Sequence, residues 1–210
     1  MKFYGYIIAL AFACAPLQVS AQKWVDIGAG VANAVEAGEG DSAVILVHGR
    51  GGNAQSWFKS DYSDFGTLAA NSGLRIVSIG WSGTPGQVAD SEIDMAVRYL
   101  IKQGAKKISL AGFSAGGGAV AMNIRNRPDG TYHAAVQFSS VDDKPVMLDK
   151  TMKIFAFNLR DPCCGTWQSK ASKASGDPKE IHELPSGGHQ IPTLVAGKAD
   201  LIPQIVSKLK

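Results

Sequence analysis

The stretch Ile108–Met122, ISLAGFSAGGGAVAM, constrains this chain more than any other. A short apolar run, Ile108, Leu110 and Ala111, has the character of a buried strand. It leads into Gly112-Phe113-Ser114-Ala115-Gly116, and a run of small residues with helical character follows. A strand that turns directly into a helix through G-x-S-x-G holds its serine at the tip of a tight turn. The backbone there is strained, and a side chain at Gly112 or Gly116 would strike its neighbours. The strain carries the Ser114 hydroxyl clear of the main chain. The helix behind it aims its N-terminus, with unpaired N–H groups and a positive dipole, at the space where an oxyanion would form. The spacing therefore predicts a nucleophile elbow. The plain alternative is a glycine-rich turn with an ordinary serine.

The length, 210 residues, is that of one domain with a substantial core. Its first residues read as a secretory signal peptide. Lys2 precedes the apolar segment Tyr4–Leu17, and Val19-Ser20-Ala21 form a small-residue cleavage site. Cleavage would leave residues 22–210, and the apolar segment is short for a membrane span. A secreted or periplasmic protein without stable membrane insertion is expected. The formal net charge of +3 becomes +2 when Lys2 leaves. The densest positive groups, Lys106-Lys107 and Lys170–Lys173, carry no interleaved aromatics, which fits a solvated surface and no nucleic-acid partner. Cys14 leaves with the signal. Cys163 and Cys164 are adjacent, and the sequence leaves open a vicinal disulfide, buried thiols or pairing with another chain. No C-x-x-C or Cys/His metal spacing occurs, and no metal or organic cofactor is implied.

Trp24–Ile27 and Ala32–Ala37 read as an antiparallel hairpin at a sheet edge. Ala43–Val47, AVILV, reads as a central parallel strand covered on both faces. His48-Gly49-Arg50-Gly51-Gly52 follows, and its glycines allow close approach to a substrate carbonyl. Gly49 is placed at the substrate, and the backbone N–H groups of Arg50 and Ala115 are the expected oxyanion donors. His48 is expected to brace this loop. Asn53 resembles the N-cap of a helix running to Ala70, broken near Asp61–Asp64, with Trp57 and Phe58 as packing residues. Leu74–Ile79 is the next strand. The loop Gly80–Gly86 then lies at the crevice edge, with Trp81 a candidate pocket wall or a cover for the core. Ser91–Gln103 has one apolar face and reads as a helix.

The elbow helix is expected to run to about Arg127. Ala134–Phe138 and Lys153–Asn158 are strands, separated too briefly for an inserted cap domain. Asp161 stands at the C-terminal end of the second, where a carboxylate can orient a histidine; Asp142 and Asp143 are rivals. Ile181–Leu184 is a final strand. The glycine-rich loop after it carries His189, the expected general base. His133 and His182 read as structural. Ala199–Leu209 is a closing amphipathic helix.

With these residues in view, the chain resembles the α/β-hydrolase superfamily over nearly all of residues 22–210. The likeness rests on AVILVHGRGG, GFSAGG, the strand end at Asp161 and GGH at 187–189, with Ser114, Asp161 and His189 in the order that fold uses. Within the superfamily it is similar to the small, lidless dienelactone hydrolase-like and carboxylesterase group. The resemblance implies an α/β fold with a mostly parallel central sheet, helices on both faces, an antiparallel N-terminal hairpin and no cap domain. It also implies hydrolysis of a small-molecule or polymer ester, with Ser114 as nucleophile, His189 as base, Asp161 as acid, and Arg50 and Ala115 as oxyanion donors. There are two departures. Leu159 stands where the family has a glycine, and the segment between the last two long strands is short by one helix. An amidase, a peptidase, an acyltransferase and a non-catalytic binding protein are the alternative readings.

Overall fold

Alternation along the central strands decides the architecture. On β3 (Ser42–Val47), Val44 and Leu46 enter one apolar cluster, while Ala43, Ile45 and Val47 enter another. A strand buried on both faces needs a layer of structure on each. The computed structural model describes residues 21–31, 33–81, 89–185, 188–196 and 198–210. The signal-peptide reading, Cys14, the Ser82–Gly86 part of the crevice loop and Ser186-Gly187 lie outside these residues.

Among the described residues the sheet has eight strands, adding β1 (Lys23–Val25), β2 (Ala34–Ala37), β4 (Arg75–Ile79), β5 (Lys107–Phe113), β6 (Ala134–Phe138), β7 (Met152–Phe157) and β8 (Lys179–Glu183) to β3. Their order across the sheet is β1-β2-β4-β3-β5-β6-β7-β8. The β1–β2 and β2–β4 pairs are antiparallel and all others are parallel. The chain steps from β3 to β4 on one side, then crosses back to place β5 on the other. Such a reversal opens a crevice at the carboxyl ends of the strands beside it.

On one face, α1 (Phe65–Asn71) and α6 (Leu201–Ser207) cover Val44, Leu46, Ile76, Val136 and Ile154. On the other, α2 (Ala89–Lys102) and α3 (Ala115–Arg125) cover Ile45, Val77 and Leu110. Ile93, Ala96 and Leu100 of α2 are fully buried, as its apolar stripe requires. Among the described residues, no helix is long and apolar enough to cross a membrane.

Three local features differ from the sequence reading. The helix expected from Asn53 does not form there. The Asn53 side chain instead accepts the Gln55 N–H at 2.9 Å, closing an Asx turn. Two 3-10 turns follow, Ser56–Phe58 and Ser60–Tyr62, and Ser63 and Asp64 take φ of 55° and 49° before α1 begins. Trp57 and Phe65 are nonetheless core residues. The second difference is α4 (Gly165–Ala174), which packs on β7 and β8. Its buried side includes Gln168, Ser169 and Ser172, so no apolar period marked it. The third is α5 (Ile191–Val195), a single short turn of helix with proline near its start. Residues 139–151 hold neither helix nor strand, which accounts for the helix left out between β6 and β7 and leaves no room for a cap there.

Candidate active site

The elbow is built by close approach. Ser114 has φ 54° and ψ −118°, a strained conformation for any residue with a side chain. Its N–H donates to the Phe138 carbonyl at 2.9 Å, and its own carbonyl accepts from Gly118 and Val141. A Cβ on Gly112 would lie 2.3 Å from the Gly116 carbonyl oxygen, and one on Gly116 would lie 2.1 Å from that of Val47. Neither glycine takes a positive φ, so the demand on both is space. The turn is thus locked between β3, β5 and α3.

Three strand ends converge on the hydroxyl. His189 Nε2 lies 2.7 Å from Ser114 Oγ, and His189 Nδ1 lies 2.8 Å from Asp161 Oδ2. Asp161 is 2% exposed. Burial by itself would raise its pKa. The hydrogen bond from His189, the Cys163 N–H on Oδ1 at 2.9 Å, the charge of His189 and the Cys164 thiol outweigh that and hold the carboxyl below its ordinary value. The carboxylate therefore stays ionised and fixes the Nδ1–H tautomer, leaving Nε2 as the acceptor facing Ser114. The Phe113 ring packs against the imidazole with centroids 5.1 Å apart. The rival Asp142 is instead ion-paired with Arg125. His133 and His182 stand at β6 and in β8, and burial lowers the pKa of both.

The loop after β3 faces the elbow. Ala115 opens α3, so its N–H lacks a helical partner. The Arg50 N–H has no backbone partner among the described residues. Both residues line a cleft of about 340 Å³ with Phe113, Ser114, Val141, Cys163 and His189. The His48 ring is fully buried beneath this loop and its Nδ1 lies 2.7 Å from the Gly49 carbonyl. Burial lowers its pKa, which keeps the ring neutral and Nδ1–H the donor.

Gly49 and Trp81 are placed behind the cleft and are not among its lining residues. The Gly49 N–H donates to the Tyr62 hydroxyl at 3.0 Å, and a Cβ on Gly49 would meet Phe113 at 3.0 Å and Ser114 at 3.2 Å. The Trp81 indole N–H donates to the His48 carbonyl at 3.0 Å, and the ring packs on the second core cluster. The sequence reading missed Tyr62 and Gln168. Gln168 donates to the Gln137 carbonyl and accepts the Ser140 N–H at 2.7 Å, pinning the end of β6 beside the elbow. Neither lies in a motif; only the fold brings them to the strand ends. A larger hollow of about 690 Å³ lies by Lys23, Glu36 and Arg75 at the β1–β2 edge, and its lining includes no nucleophile–base pair.

Neither a family model nor a curated protein matches the sequence. Solved structures do resemble the fold. An esterase from Pyrococcus furiosus aligns with a TM-score of 0.65 at 13% identity, over 90% of this chain and 92% of its own. A hormone-sensitive lipase homologue from a metagenome library aligns at 0.66 and 16%, over 92% and 88%. A protein of unknown function from Agrobacterium tumefaciens aligns at 0.61 and 20%, over 83% and 95%. Identities this low speak for architecture alone, and the architecture is that of the α/β-hydrolases.

Proposed function

We propose that this protein is a secreted serine hydrolase that cleaves carboxylic esters through an acyl-enzyme on Ser114. The observation that carries this reading is the continuous chain from Ser114 Oγ through His189 to Asp161, at 2.7 and 2.8 Å, on a strained elbow. That solved structures of the same fold are named as esterases and lipases supports it. Secretion rests on the signal-like segment of residues 1–21.

In this reading His189 Nε2 takes the Ser114 proton as Oγ attacks the ester carbonyl. The negative charge that grows on the carbonyl oxygen is met by the N–H groups of Arg50 and Ala115. The imidazolium, stabilised by Asp161, returns its proton to the departing alcohol. Water then enters and attacks the acyl carbonyl while His189 takes one of its protons; the bond to Ser114 Oγ breaks, His189 returns that proton to the serine oxygen, and the acid leaves. The cleft is near the low end of ligand-site volumes, and Phe113 and Val141 give it apolar walls, which suits a short acyl group.

The test is hydrolysis of p-nitrophenyl esters from acetate to palmitate by wild type and Ser114→Ala. Activity should fall with chain length. The variant should lose a factor on the order of 10⁴ to 10⁶ with its fold intact. Undiminished hydrolysis by Ser114→Ala sinks the proposal. A wild-type protein that reacts with a fluorophosphonate yet cleaves no ester would point to amide hydrolysis or acyl transfer.

A further inference from the structure

Cys163 and Cys164 closely follow Asp161, and the ester mechanism uses neither. Both are free thiols, one exposed and one buried. Asp161, Cys163, Cys164 and His189 each offer one ligating atom, and these atoms all lie within 4.8 Å of one another. Cys164 Sγ is 3.4 Å from Asp161 Oδ2 and 3.6 Å from His189 Nδ1. Around a tetrahedral zinc ion, with bonds of about 2.3 Å to sulfur and 2.0 Å to nitrogen or oxygen, ligand atoms stand roughly 3.3–3.8 Å apart. Two of the separations already fall in that range, and the 2.8 Å between His189 Nδ1 and Asp161 Oδ2 has to open by about half an ångström. Two thiols, an imidazole and a carboxylate form a donor set that favours a thiophilic ion over Mg²⁺ or Ca²⁺. The exposed Cys163 lines the cleft, so an ion can reach the site from solvent.

We propose that Asp161, Cys163, Cys164 and His189 form a binding site for a thiophilic divalent cation such as Zn²⁺, and that its occupation switches the hydrolase off; the second half rests on the ester-hydrolase reading above. The proton balance is simple. Each thiol releases its proton to solvent as its sulfur binds, so one M²⁺ displaces two protons. Asp161 is already ionised. His189 stays neutral, but its proton leaves Nδ1 for Nε2 so that Nδ1 can ligate. That tautomer cannot accept the Ser114 proton, and Asp161 no longer orients the ring. A metal-bound sulfur is a thiolate, so each cysteine gives up its proton only as the cation arrives to supply the opposing charge. Binding should therefore tighten as pH rises.

The experiment titrates Co²⁺ and Zn²⁺ into the reduced Ser114→Ala protein, which keeps all four ligands. One equivalent of Co²⁺ should give tetrahedral d–d bands with thiolate-to-metal charge transfer. Cys163→Ser in the same background should lose intensity in that charge-transfer band and bind Zn²⁺ more weakly by more than the roughly 10–100-fold typical of an outer-shell partner. In wild type, Zn²⁺ should slow fluorophosphonate labelling of Ser114, and a chelator should restore it. No metal binding, or an octahedral cobalt spectrum without charge transfer, overturns the site. Tight binding that leaves labelling unchanged overturns the switch. Absent labelling of metal-free wild type counts against the hydrolase reading alone, because the cobalt spectrum of Ser114→Ala does not depend on turnover.

Discussion

Gly116 packs so closely on β3 that a Cβ there would lie 2.1 Å from the carbonyl oxygen of Val47 and 2.4 Å from that of His48. Both atoms are backbone at the carboxyl end of the central strand β3, so relief needs the main chain itself to move. Gly116→Ala must therefore push α3 off β3 or break the elbow. We expect a loss of about 3 kcal/mol of stability, at the upper end of overpacking costs, together with loss of fluorophosphonate reactivity. Urea unfolding monitored by tryptophan fluorescence measures the first. An alanine variant as stable as wild type would show that the elbow is looser than this geometry.

How far the sequence foretold this arrangement depended on where each signal lay. The elbow, the apolar run at Ala43–Val47 and the Ser91–Gln103 stripe are local patterns whose period or glycine spacing has one structural solution, and their strands and helices formed where expected. The Asn53 helix failed because an Asx turn satisfied backbone groups that a helix would have used. Helix α4 went unseen because its buried side carries the Gln168 amide, paired with backbone at the end of β6, and the Ser172 hydroxyl, bonded to the Ser169 carbonyl within the helix, in place of an apolar stripe. The ring of contacts behind the elbow, Tyr62 to Gly49 and Trp81 to His48, joins residues far apart in the chain. No spacing rule could announce it.

Tyr62 acts on the site through Gly49. Its hydroxyl accepts the Gly49 N–H at 3.0 Å, one residue before the proposed oxyanion donor Arg50. Tyr62→Phe keeps the ring packing against Trp57 and Phe113 but leaves a buried N–H unpaired. The expected cost is about 1–3 kcal/mol in stability. If the loop loses its register, kcat should drop about tenfold, equivalent to roughly 1.4 kcal/mol of transition-state stabilisation, while KM holds. A change in KM with kcat intact would assign Tyr62 to ground-state binding.

Trp81 is tied to the His48 carbonyl and not to the cleft, so it should matter to stability more than to substrate affinity. Trp81→Phe removes one hydrogen bond while keeping an aromatic ring on the second core cluster. A loss of about 1 kcal/mol is expected, with KM for short esters within about twofold of wild type. A KM raised about tenfold by this change would place the indole at the substrate after all.

Asp161 ties the site's chemistry to acid stability. Its folded pKa lies below the ordinary carboxylate value because hydrogen bonds from His189 and Cys163 outweigh the burial that opposes them. A carboxyl of this kind stabilises the fold fully above its unfolded pKa, and the contribution is lost as pH falls through the lower, folded value. Wild type should therefore lose stability as pH drops below about 4, the reference aspartate value. Asp161→Asn should lose less over the same window, and urea midpoints from pH 6 to pH 2 measure the difference in slope. The same variant separates ring orientation from fold. An asparagine amide offers His189 Nδ1 a donor in place of an acceptor, which favours the tautomer with its proton on Nε2. Turnover should fall on the order of 10³ to 10⁴-fold at neutral pH although the protein is folded. Turnover by the Asp161→Asn enzyme within about tenfold of wild type would mean that another carboxylate, with Asp142 the first to examine, orients the histidine during the reaction.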